Sequence, residues 1–100
     1  MSDNEKVLND YEKTVLYSIA LSGNFSKKAH NPIEQIRKFY PKDINLQLHT
    51  VRNKIDKAYS SLETEKLIRK HSTRNNMTIE LTDKGFLIAL KLKNEMEKRY

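Results

Sequence analysis

Cysteine is absent from this chain of 100 residues. That excludes a disulfide framework and any thiolate metal site, and it fits a reducing compartment. Glycine occurs only twice, at Gly23 and Gly85. Both read as structural, so a glycine-rich phosphate loop is excluded. Long apolar runs are missing as well. The longest, Phe86 to Leu90, falls far short of the ~18 residues a membrane span needs. The first residues, Met1-Ser2-Asp3-Asn4-Glu5, are acidic and polar, unlike a signal peptide. These absences together predict a cytoplasmic chain with no membrane contact.

Acidic residues are outnumbered, 13 to 19, for a net charge of +6. The excess is uneven. Residues 1–22 carry two Lys against four acids, whereas residues 23–62 carry eight Lys or Arg against three. A basic middle attracts polyanions such as nucleic acid by counterion release. With 37% hydrophobic residues the chain predicts one small domain over 1–100, of modest stability unless a partner adds to its core. No catalytic arrangement stands out. His30, His49 and His71 read as isolated side chains, and Glu95 and Glu97 as a solvated helix end. The sequence therefore predicts a protein that is not an enzyme, with no cofactor and no metal.

Hydrophobic spacing divides the chain into elements. A first helix is predicted from Asp3 to Ser22, with Leu8, Tyr11, Val15 and Ile19 on one face and Leu16 beside them. Gly23 would end it in the left-handed conformation. Asn24 to His30 connects, with room for a short strand that pairs with the wing. A second helix is predicted to start with Asn31 as cap, Pro32 at its first position and Glu34 closing a capping box, and to end at Pro41. Leu46 falls in the following turn, with Asn45 as cap of a third helix from Gln47 to Thr64. That helix keeps Leu48, Val51, Ile55, Ala58 and Leu62 on its inner face. Two strands follow, Leu67–His71 and Met77–Leu81, around the polar turn Ser72–Asn76. Met77, Ile79 and Leu81 alternate with polar residues, the period of a half-buried strand. Thr82 caps a last helix from Asp83 to about Arg99.

That last helix has an inner stripe of Ile88, Leu92 and Met96, yet Phe86, Leu87 and Leu90 fall outside it. A helix apolar on every side is covered on every side. The economical source of cover is a second copy of the chain. The predicted homodimer interface takes in Leu8, Tyr11, Leu16, Phe86, Leu87, Leu90 and Met96.

The segment His49-Thr50-Val51-Arg52-Asn53-Lys54-Ile55 resembles the recognition helix of winged helix-turn-helix regulators. Leu62-Glu63-Thr64-Glu65-Lys66-Leu67-Ile68 is similar to the phrase that enters the wing. Leu81-Thr82-Asp83-Lys84-Gly85 is similar to the phrase after it in MarR- and PadR-type proteins. The resemblance covers about residues 7–100 and extends to small regulators of archaea, their viruses and plasmids. It departs in two places. Glycine usually stands where this chain has Lys66, so the turn into the wing should differ, and the third helix is about one turn longer than usual.

The resemblance implies a mainly α fold with a small β-hairpin (α+β), in the order helix-helix-helix-strand-strand-helix. It also implies sequence-specific binding of double-stranded DNA by a transcriptional regulator. The third helix would enter the major groove and the wing would touch the backbone or minor groove. Asn53 suits adenine and Arg52 guanine, with His49 and Thr50 alongside. Lys54 and Lys57 suit phosphate. Arg69, Lys70, Arg74 and Asn75 on the wing, and Lys27 and Lys28 before the second helix, complete the expected interface. Two other functions fit the same fold: a protein-interaction adaptor, marked by an exposed apolar patch on the third helix, and a sequence-neutral architectural or plasmid-segregation DNA binder. No residue set argues for an effector pocket.

Overall fold

Helix α1 (Asp10–Ser22) begins where its exposed N–H groups find partners. The Asn9 side chain accepts from the Glu12 backbone at 2.8 Å, and the Glu12 carboxylate accepts from the Asn9 N–H at 2.8 Å. This reciprocal capping box fixes the start seven residues beyond the expected Asp3. In this computed structural model the described residues are 7–26, 29–72 and 77–98. The elements run α1, β1 (His30–Pro32), α2 (Ile33–Arg37), α3 (His49–Thr64), β2 (Ile68–Ser72), β3 (Met77–Leu81) and α4 (Asp83–Met96). Among the described residues, no helix is long and apolar enough to cross a membrane.

α1 is the central element, packing on α2, α3, α4 and β3. Every residue from Thr14 to Ala20 is buried. The apolar stripe expected of it is therefore corrected: its middle two turns are covered on every side. Thr14 and Ser18 are small enough to let neighbours approach closely, and the Ser18 hydroxyl donates to the Phe39 carbonyl at 3.4 Å. Gly23 is not left-handed, with φ of −94°. The left-handed residues are Asn24 and Phe25, at φ of 54° and 53°. Asn24 N–H bonds to Leu21 C=O and Phe25 N–H to Ala20 C=O, the double closure of a Schellman motif. Gly23 is required instead by crowding, since a Cβ there would stand 2.9 Å from that of Ala29.

β1 lies at one edge of a three-stranded antiparallel sheet ordered β1-β3-β2. It adds an element to the expected order and takes Asn31 out of the capping role. Pro32 is the N-cap of α2, with no side-chain hydrogen bond, while Asn31 reaches back to Ser22. α2 is also shorter than expected. From Lys38 to Tyr40 the hydrogen bonds run back three residues rather than four, because Pro41 disfavours helical geometry before it.

α3 starts at His49 rather than Gln47. The Asn45 side chain accepts from Gln47 N–H at 3.0 Å and shapes the preceding turn instead of capping the helix. Leu46 packs against the core. Leu48, expected on the inner face, is the N-cap residue and is 51% exposed. Ile55, Ala58 and Leu62 are buried as expected, with Val51 half-buried beside them.

At the far end of α3, Lys66 adopts the left-handed conformation, at φ of 62°. Lys66 N–H bonds to Glu63 C=O and Leu67 N–H to Leu62 C=O, a second Schellman motif. The turn therefore takes the shape glycine would give it, and the expectation of a different turn is corrected. The carbonyls it releases are claimed by the start of α4. Thr82 Oγ1 donates to Lys66 C=O at 2.7 Å, and Thr82 N–H donates to Leu67 C=O at 3.0 Å. Thr82 Oγ1 also accepts from Gly85 N–H at 3.0 Å, the cap expected of it. Gly85 lies so close that an added Cβ would fall 1.9 Å from the Leu67 carbonyl oxygen.

α4 buries Gly85, Ala89, Leu92 and Met96, with Ile88 half-buried at the edge. Leu87 and Leu90 remain 56% and 42% exposed. Leu16 and Met96 lie wholly within the chain's own core. For these two the assignment to a contact between copies is corrected, because the chain covers them itself.

The turn after α2 is tied to α3 by Tyr40 and Tyr59, whose hydroxyls stand 3.2 Å apart. Burial, more than anything else, pushes both phenols above their ordinary range; the Tyr40 hydroxyl adds to the rise at Tyr59, while the bond to Tyr59 offsets part of the rise at Tyr40. The folded state thus holds these protons more tightly than the unfolded chain. Stability is complete below the unfolded value of 10.0 and falls as pH climbs beyond it. Chemical denaturation across pH 8–11 should show this loss, and Tyr59→Phe should flatten it at a cost near neutrality of about 1 kcal/mol.

The turn into β2 makes an opposing pair of predictions. Lys66→Gly relieves a strain of roughly 1–2 kcal/mol and returns part of it as unfolded-state entropy, for a net gain of about 0.5–1 kcal/mol. Thr82→Ala removes a cap and costs about 1–2 kcal/mol. Urea midpoints at constant slope check both signs.

Candidate nucleic-acid interface

The outward face of α3 carries His49, Thr50, Arg52, Asn53, Lys54 and Lys57, all exposed. No acidic side chain lies in its first turn and no side chain caps it, so its positive end stands uncompensated. Asn53 Nδ2 is 3.1 Å from His49 Nε2, one helical turn back. The amide nitrogen faces the ring as a donor to it. The contact fixes the amide while leaving its oxygen and second N–H free. Those two groups are what a bidentate contact to adenine uses.

The two lysines lean towards α1. Lys54 Nζ sits 5.5 Å from the centre of the Tyr11 ring. That is a cation–π distance, weak at an exposed site. Tyr11 is half-buried and packed on the core. Lys57 lines a shallow depression with Asn9, Asp10, Glu12 and Ser61. The capped end of α1 thus lays carboxylates beside the cationic side of α3.

The wing strands carry their charges in pairs. Arg69 is opposite Glu80 across the ladder, with Nη1 3.9 Å from Oε1. His71 Nε2 lies 2.6 Å from the same carboxylate oxygen. Lys70 points to the other face and meets Glu63 of α3 at 3.3 Å. Arg74 and Asn75, like Lys27 and Lys28, lie outside the described residues.

Sequence reasoning missed a cluster on the open face of the sheet. The rings of His30 and His71 are 5.6 Å apart, centre to centre, and His30 Nδ1 is 3.3 Å from Thr78 Oγ1. His30 and Glu80 are directly paired residues of β1 and β3. The histidines are therefore not isolated: strands distant in sequence bring two of them together with one carboxylate. The signal was the period of two, which puts Thr78 and Glu80 on the same face. Its use required knowing that β1 pairs with β3. Among the described residues, no group of three or more His, Cys, Asp or Glu is arranged to hold a metal ion.

No family model matches the chain, and no curated protein matches it. Among solved structures the chain is similar to the crystal structure of SSV1 F-93, with a TM-score of 0.61 and 19% identity over 94% of each chain. At that identity the likeness concerns the fold. The four helices and three-stranded antiparallel sheet match a winged-helix layout broadly, with β1 as the strand added to the expected order.

The Lys70–Glu63 pair is open to solvent on both sides. A double-mutant cycle on Lys70 and Glu63, whose side chains are 30% and 46% exposed, should give a coupling below about 1 kcal/mol. A larger value from urea denaturation would mean that this lysine is committed to the fold.

Proposed function

We propose that this chain is a sequence-specific double-stranded DNA-binding protein and not an enzyme. It acts as a transcriptional regulator akin to MarR- and PadR-type proteins. α3 reads the major groove, and the wing contacts the backbone or minor groove. The observation that carries this reading is the outward face of α3, where His49 orients Asn53 beside exposed Thr50 and Arg52. Asn53 pairs with adenine and Arg52 with guanine, while Lys54, Lys57, Arg69 and Lys70 set position on the phosphates. The protein works as a homodimer through α4. Leu87 and Leu90 there stand exposed beside half-buried Phe86, and Leu8 lies half-buried near the start of α1. Two recognition helices about 34 Å apart then match a palindromic site.

The test is selection from a random pool of 30-base-pair duplexes, followed by fluorescence anisotropy on the winner across a salt series. The wild type should enrich a palindrome. Asn53→Ala should bind it about 1–3 kcal/mol more weakly with an unchanged salt slope, since no phosphate contact is lost. Equal binding to all duplexes would replace this reading with a sequence-neutral architectural one. Absence of binding at low salt would turn attention to a protein partner.

A further inference from the structure

The turn before α3 sends two nearby leucines in opposite directions. Leu46 packs inward against the core, while Leu48 is 51% exposed at the N-cap of the helix. Leu48 is not among the residues packed against the core. The Leu48 side chain makes no capping hydrogen bond, so a serine or asparagine would serve α3 better. Its neighbours His49, Thr50, Arg52 and Asn53 are all exposed and polar. Arg52 lies one helical turn from Leu48, and the Arg52 N–H closes on the Leu48 carbonyl. Leu48 is thus the one large apolar side chain at the leading edge of a polar helix face.

The floor of the major groove offers a single apolar group, the C5-methyl of thymine; every other base edge there presents hydrogen-bond donors or acceptors. The N-terminal residues of a recognition helix are the ones that reach base edges. We propose that Leu48 is a specificity-determining residue that recognises thymine through its methyl group, next to the base pairs read by Arg52 and Asn53. This rests on the DNA-binding reading above and extends it to a residue and a base.

The test replaces each thymine of the selected duplex in turn by deoxyuridine, which removes the methyl and leaves the hydrogen-bonding edge unchanged. Wild-type binding should weaken about fourfold for each methyl that Leu48 covers. Leu48→Ala should bind both duplexes alike, near the wild-type level on deoxyuridine, and Leu48→Met should retain the discrimination. Thr50→Ser serves as the control, because threonine also carries a methyl that can reach thymine. A wild type indifferent to every replacement overturns the inference while leaving sequence selection intact. So does discrimination that survives Leu48→Ala, or that is lost in Thr50→Ser alone. Failure to bind any duplex overturns the inference together with the reading beneath it. Leu48 is outside the core, so circular dichroism of each variant should match the wild type.

Discussion

The rest of the structure depends on a closed set of hydrogen bonds at the end of α3. Lys66 turns left-handed, frees its own carbonyl and that of Leu67, and both are taken by Thr82. Thr82 in turn receives the Gly85 N–H, and Gly85 lets α4 approach the backbone at Leu67. Three elements meet in this clasp: the end of α3, the base of the hairpin and the start of α4. The wing therefore holds a fixed position relative to α3, and α4 leaves the clasp in a direction that lays its inner stripe along α1. A side chain larger than hydrogen at residue 85 would separate these elements at the point where they are closest.

Electrostatics at the candidate interface follow a similar economy. The chain has an excess of cations, but the local field is tempered wherever carboxylates reach them. Glu80 serves both Arg69 and His71, Glu63 serves Lys70, and the Tyr11 ring attends Lys54. The outward face at the start of α3 has no such attendant acid, because the first turn carries none. The uncompensated start of α3 thus coincides with the residues suited to hydrogen-bond base edges.

Much of this was legible in the sequence because it follows local rules. The period of two located β3, Thr82 capped α4, and the helical spacing of Ile55, Ala58 and Leu62 placed the inner face of α3. What escaped was set by tertiary pairing. A short strand pairing with the wing was expected before the second helix, but β1 runs on to Pro32, and that displaced Asn31 from its expected cap. The approach of His30 to His71, and of Glu80 to Arg69, needed the strand order and register. Left-handed residues were misplaced for a different reason: glycine signals the conformation strongly, yet Asn24 and Lys66 adopt it here while Gly23 answers to crowding. Burial of the middle of α1 was hidden because Thr14 and Ser18 read as polar, although small polar residues can be covered once their hydrogen bonds close within the fold.

The shape of the sheet also bears on how the protein behaves when concentrated. An open sheet edge is a template on which another chain can add a strand. Here one edge is β1, three residues long and ending in Pro32, which has no N–H to donate. The other is β2, whose Arg69, Lys70 and His71 place charge or a titratable ring along it. Neither edge gives an incoming strand a long, neutral run to pair with. Molecules can therefore gather side by side without their sheets joining into fibrils.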